Sequence, residues 1–304
     1  MSLTKAFINK LRFFGHEDLQ IKPWMVTDDR SLPINDIWSQ LGALGIHLDR
    51  KALSAYANEC DTPEELADLI IDDPAMHDQA YLLLFELWRR LFPERASLSI
   101  FCDEFDHQIH QYYKGELESD EPIQDSLANL SEILEDAKMK PADAMASISD
   151  YFAYDLATFI YDYIVDLIEQ ENTLYAQELY DEFAPYFLKN LSFEFLHAKL
   201  SEEGNEEIKV LLAKKLPADL LFDIIEYLVS YGEHDLFQTA IKQLLPQITT
   251  EEEFHDLAEL SAEYYRRLDK DEKEQAILHL LERRKKTTAS LAPDLLKLKD
   301  LVLK

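Results

Sequence analysis

The chain has 304 residues, 47% of them hydrophobic and 11% aromatic, with 60 acidic against 30 basic side chains and a formal charge of -30. So much apolar and aromatic content excludes a disordered polyelectrolyte, and the charge repels nucleic-acid phosphates and anionic lipid headgroups while attracting basic proteins or cations. The length exceeds the about 100 to 200 residues usual for one domain, so an extended array or two domains is expected.

Cys60 and Cys102 are the only cysteines and lack metal-type spacing, which fits a reduced, cytoplasmic protein. The N-terminus has no apolar core of signal-peptide length, and no run reaches the roughly 18 apolar residues of a membrane span. Secretion without a cleaved signal stays open. Six glycines and few alternating runs predict an all-α protein.

Leu3, Phe7, Leu11 and Phe14 form a helical stripe beside Lys5, Lys10 and Arg12. Docking on the protein's own core is expected, with a membrane surface as the alternative. Residues 15–32 read as irregular. Asn35 is expected to cap a helix that stops at Gly45, and Thr62, with Pro63 and Glu65 behind it, opens another that ends before Pro74. Residues 79–92 are apolar on most sides and predict the central helix of the N-terminal part, packed against a helix over about 96–113. The polar stretch 114–122, containing Gly115 and closed by Pro122, is the expected boundary between an N-terminal helical domain, 1–118, and a second domain, 119–304.

Residues 148–170 predict one helix that is apolar around most of its circumference. Phe152, Leu156, Phe159, Ile160, Tyr163, Ile164, Leu167 and Ile168 sweep a broad arc, and Asp155, Asp162, Asp166 and Glu169 share the narrow remainder. No Lys or Arg occurs between Lys140 and Lys189, so the compensating charge must come from elsewhere. Tyr175, Tyr180, Asp181, Glu182 and Tyr186 follow in the paired helix. A groove between the two helices would join carboxylates to tyrosine faces, a surface suited to Arg and Lys side chains.

From there the chain runs in helix-turn-helix units, with turns at Glu171-Asn172, Gly204-Asn205, Gly232-Glu233 and Asp269-Lys270, roughly 33, 28 and 37 residues apart. Pro185, Pro217 and Pro246 close the first three, and Ala176, Ala240 and Ala276 sit near the middle of second helices. Over about residues 151–284 this pattern resembles tetratricopeptide-type helical repeats. The resemblance implies that the small residue lets the second helix pack on the first, with an aromatic four positions later and a proline at the end. Ala176, Tyr180 and Pro185 fit it. At Ala240 and Ala276 the aromatic is replaced by Leu244 and Leu280, and the Trp-Leu-Gly pattern of a first helix is missing from every unit. An irregular helical bundle is the other architecture with this periodicity. Residues 293–304 predict a terminal capping helix with Leu295, Leu298 and Val302 on its apolar face.

Three Glu-x-x-His pairs, Glu104 with His107, Glu194 with His197 and Glu252 with His255, have the spacing by which di-iron bundle proteins hold metal. Asp103, Asp106, His107 and His110 lie within reach of one another on one helix, as exposed pairing residues or as ligands of a surface divalent ion. Glu252 also follows Thr249-Thr250, where acids complement a helix N-terminus. No GxGxxG, P-loop or GxSxG sequence occurs. Arg283, Arg284, Lys285 and Lys286 suit the last turn of a helix, and residues 266–304 are net basic, a pattern that would let this end associate with the acidic middle. The expected function is a non-catalytic scaffold, adaptor or chaperone without cofactor, binding a partly basic protein through Asp155, Asp162, Asp166, Glu169, Tyr175, Tyr180, Asp181 and Tyr186. The alternative is a metal-dependent helical-bundle enzyme using Glu104, His107, His110, Glu194, His197, Glu252 and His255.

Overall fold

The computed structural model describes residues 3–15, 20–95, 97–284, 286, 298–300 and 302. The chain is all-α, and among the described residues there is no strand. It divides into two compact units, Met1–Ile160 and Tyr161–Lys304. The polar stretch at 114–122 lies inside the first.

The first unit contains α1 (Lys5–Phe14), α2 (Pro23–Val26), α3 (Ile34–Ala43), α4 (Arg50–Ala57), α5 (Pro63–Ile70), α6 (His77–Leu91), α7 (Leu98–Lys114), α8 (Glu121–Asp136) and α9 (Pro141–Ser149). The division falls within α10 (Leu156–Glu169). Helix starts follow side-chain capping at Thr4, Asp49, Thr62 and Ser97, each accepting a first-turn N–H. Asn35 is not a cap: Pro33 occupies the N-cap position and the helix begins at Ile34. Helix α6 is central in the strict sense that every residue from Ala80 to Trp88 is buried, Glu86 included. The first helix docks on this core through Ile8; Leu11 is also buried, while Phe14, the last residue of its apolar stripe, is 60% exposed. Among the described residues no helix is long and apolar enough to cross a membrane.

The single helix expected over 148–170 is two helices, α9 and α10, separated by residues 150–155. Hydrophobic periodicity runs through this gap because Phe152 and Leu156 are both buried. The backbone there is claimed instead by a distant acceptor: the Asp106 carboxylate takes the N–H groups of Ala153 at 2.8 Å and Tyr154 at 3.2 Å. Asp155 then caps α10, accepting from the Thr158 N–H at 2.7 Å.

The second unit continues through α11 (Thr173–Phe183), α12 (Leu191–Leu200), α13 (Gly204–Leu212), α14 (Ala218–Tyr231), α15 (His234–Leu244), α16 (Glu251–Arg267) and α17 (Asp271–Leu281). Neighbours pack as the pairs α12 with α13, α14 with α15 and α16 with α17, and α14 also packs on α12 and α16, as α15 does on α13. Their shared core includes Leu221, Ile224, Phe237, Ile241, Phe254 and Tyr265, with Ala240 buried among them. Leu298 and Val302 are buried in the same core, and Tyr265 Oη donates to the Val302 carbonyl at 2.6 Å. Residues 293–297, 301, 303 and 304 of the expected terminal helix, Leu295 among them, lie outside the described residues.

Gly204 and Asn205 do not form a turn, since α13 begins at Gly204. A Cβ at Gly204 would stand 2.4 Å from the Ala198 carbonyl oxygen, so glycine is needed for the close approach of α13 to α12. Four helices end alike, with a left-handed residue and an N–H reaching back five positions: Ile46 to Leu41, Glu116 to Gln111, Asn172 to Leu167 and Lys270 to Tyr265, each at 2.9 to 3.0 Å. The left-handed residue is Gly45 or Gly115 in the first two and Glu171 or Asp269 in the others.

Candidate functional site

Two clusters of ionisable side chains stand out, one in each unit. In the first, Asp103 on α7 is buried and meets Lys5 Nζ at 3.7 Å, Asn9 Nδ2 at 2.8 Å and the Arg30 guanidinium. Burial alone would raise its pKa, but Lys5, Arg30 and the Asn9 amide outweigh that and hold it below the usual carboxylate range. Glu86 pairs with Arg89 and Arg90, and Arg90 also donates to the carbonyls of Asp29, Arg30 and Leu32. Asp29 is reached by Arg12 at 3.3 Å. These contacts pin the irregular segment before α3 to α6 and α7. The network is an internal frame whose members are taken up by one another.

The metal-type residues are accounted for in the same way. Glu104 pairs with Arg30 at 2.8 Å and Arg89 at 3.2 Å. His110 stacks on Phe13 with centroids 4.2 Å apart and shares a 2.8 Å hydrogen bond with Tyr154 Oη. Burial lowers the pKa of His107 and of His110, with Arg30 adding to the effect at His107 and Lys114 at His110. Glu194 pairs with Lys214, and His197 Nδ1 lies 2.6 Å from Glu207 Oε2. His255 is buried while Glu252 is exposed. The Glu-x-x-His pairs therefore do not meet as ligand sets, and among the described residues no three His, Cys, Asp or Glu side chains converge as a metal site requires.

The second cluster lies on α10, α12 and α14. Tyr161 Oη donates to Asp223 Oδ2 at 3.1 Å. Lys199 Nζ stands 5.5 Å from the centroid of the Phe195 ring, which meets Tyr227 edge-on at 6.0 Å, and Tyr231 follows at 5.3 Å from Tyr227. Burial raises the pKa of Asp223, against the Tyr161 hydrogen bond and Lys199. Burial likewise raises Tyr161, reinforced by Asp223. Lys199 is pushed below the ordinary lysine range by burial, against the pull of Glu169, Asp223 and Glu226. The face thus holds half-buried groups whose charges are only partly compensated, beside tyrosine rings with open faces such as that of Tyr231, which is 73% exposed.

The residues expected to bind a partner fall on α10, on α11 and just beyond their ends. Glu169 belongs to this face through its electrostatic pull on Lys199. Asp162 and Asp166 are half-buried on the same helix, whereas Asp155 is the cap of α10. Tyr180 packs on His197 with centroids 5.5 Å apart and so belongs to the contact of α11 with α12, whereas the exposed Asp181 accepts from Gln177 Nε2 of its own helix at 2.9 Å. Tyr186 packs near Phe183, and Tyr175 is half-buried on α11. Tyr161, Lys199 and Asp223 were missed because their positions join only in three dimensions. The usable signal was that Lys199 is among the first cations after an uninterrupted acidic stretch. No protein family matches the chain, and neither does any curated protein or solved structure.

Proposed function

We propose that the chain is a non-catalytic interaction module, a cytoplasmic scaffold, adaptor or chaperone, that binds a protein partner through the partner's Arg and Lys side chains. The observation that carries this reading is the face on α10, α12 and α14, where Tyr161, Asp223, Glu226 and Tyr227 stand on helices rather than loops. A carboxylate held half-buried beside aromatic rings, as Asp223 is, attracts guanidinium and ammonium groups more strongly than the same group in open water, and the exposed Glu226 adds to its charge. The charge of -30 adds long-range steering of a basic partner. Pair-on-pair packing of α12 to α17 supports reading the second unit as a helical-hairpin array, in which successive first helices line a continuous surface.

The test begins with recovery of the partner from native extract. Its association is then measured with the wild-type chain, with an Asp223→Asn/Glu226→Gln variant and with an Asp162→Asn/Asp166→Asn variant. Loss of two charges with little change of size should slow association and flatten its salt dependence. Unchanged affinity, association rate and salt dependence in both variants would overturn the reading.

A further inference from the structure

Within this face of carboxylates and tyrosines, one cation stands where an incoming basic side chain would go. Lys199 is half-buried over the Phe195 ring and within electrostatic reach of Glu169, Asp223 and Glu226. Among the described residues no carboxylate oxygen comes within ion-pairing distance of its Nζ, and one Asp223 oxygen is engaged by Tyr161 Oη. An ammonium so placed repels the side chains of a uniformly basic segment, while Glu169, Asp223 and Glu226 attract them. Repulsion built into an attractive surface discriminates between partners as effectively as added contacts do.

We infer that Lys199 sets the charge pattern of the partner: the segment lying on α10, α12 and α14 carries an acidic side chain between basic ones. Its carboxylate meets Lys199, and its cations meet Glu169, Asp223 and Glu226 nearby. This inference rests on the interaction reading above. It differs from that reading in requiring an acid, which a merely basic partner lacks.

The test uses the full chain and synthetic peptides of Arg, Lys and Leu, followed in fluorescence anisotropy, with a series in which one residue at a time is replaced by Glu. At one position Glu should tighten binding about tenfold, although it lowers the peptide's net positive charge. Lys199→Met, which keeps the aliphatic stem over Phe195, should abolish that preference, and Lys199→Arg should keep it. Thermal unfolding followed by circular dichroism checks that each variant is folded. Glu weakening binding at every position, or a preference that survives in Lys199→Met, overturns the inference while leaving the acidic face intact. If no peptide binds the wild type more tightly than the Asp223→Asn/Glu226→Gln variant, the interaction reading falls and the inference with it. Should Lys199→Met fail to fold, Lys199→Gln provides the neutral comparison.

Discussion

The carboxylate of Asp106 on α7 accepts the backbone N–H of Ala153 through both oxygens, at 2.8 and 3.0 Å, across 47 residues of sequence. The group is fully buried, and burial pushes its pKa up to about 7, against the N–H groups of Ala153 and Tyr154, which favour the charged form. A folded-state value above the unfolded one means that the native protein binds this proton more tightly. The associated stability is complete below about pH 4 and is lost as the pH rises through about 7. Asp106→Asn keeps an acceptor oxygen for the Ala153 N–H and removes the titration. Urea unfolding at several pH values should show a wild-type stability that falls relative to the variant between about pH 4 and pH 7, by a few kcal/mol in order of magnitude. Parallel pH profiles for the two proteins would refute this role.

Breaking the frame of the first unit should be costly in a way that removing it whole is not. Asp103→Ala leaves Lys5 buried without its carboxylate and Asn9 without its acceptor, while Arg30 keeps only the Glu104 carboxylate, for an expected loss of about 3 to 5 kcal/mol. Combining Asp103→Leu with Lys5→Met should recover part of the loss. Denaturant midpoints of the single and double variants measure the difference.

The two helix ends that use acids in the left-handed position are sites where stability can be gained. Glu171 at φ 62° and Asp269 at φ 55° carry a side chain into a conformation that suits glycine, and place negative charge at a helix C-terminus. Glu171→Gly or Asp269→Gly should each stabilise the protein by about 1 kcal/mol, seen as a raised denaturant midpoint. Gly204→Ala should do the reverse, because its methyl group meets the Ala198 carbonyl.

Limited proteolysis should cut first between α7 and α8, where residues 115–121 are mostly exposed and carry no continuous helix. The fragments should stay together in size-exclusion chromatography, because α8 packs on α7 and Ser126 Oγ donates to Gln108 Oε1 at 2.7 Å. An earlier cut within α10 or α11 would contradict this.

Helix type and most helix ends were legible because their causes are local. Thr62 accepts from Glu65 N–H as the cap spacing implies, Gly45 takes the left-handed conformation, and α6 is buried where its circumference is apolar. The break at 150–155 was not legible, because period and burial continue through it while the acceptor that opens it sits on α7. The same distinction governs the site. Acids on α10 could be placed on one helix by counting, but the meeting of Tyr161 with Asp223 across 62 positions follows from how α10 and α14 lie within the second unit.

Contact distance along the chain also separates the two units in the order in which they can form. In the second, α12 meets α13, α14 meets α15 and α16 meets α17 across turns of a few residues, so each pair can collapse as soon as both helices exist. In the first, Asn9 finds Asp103 only after 94 positions have been closed into a loop. During synthesis Lys5 and Asn9 therefore wait in water for a partner on a helix made much later. Their pairing therefore follows the closing of that loop.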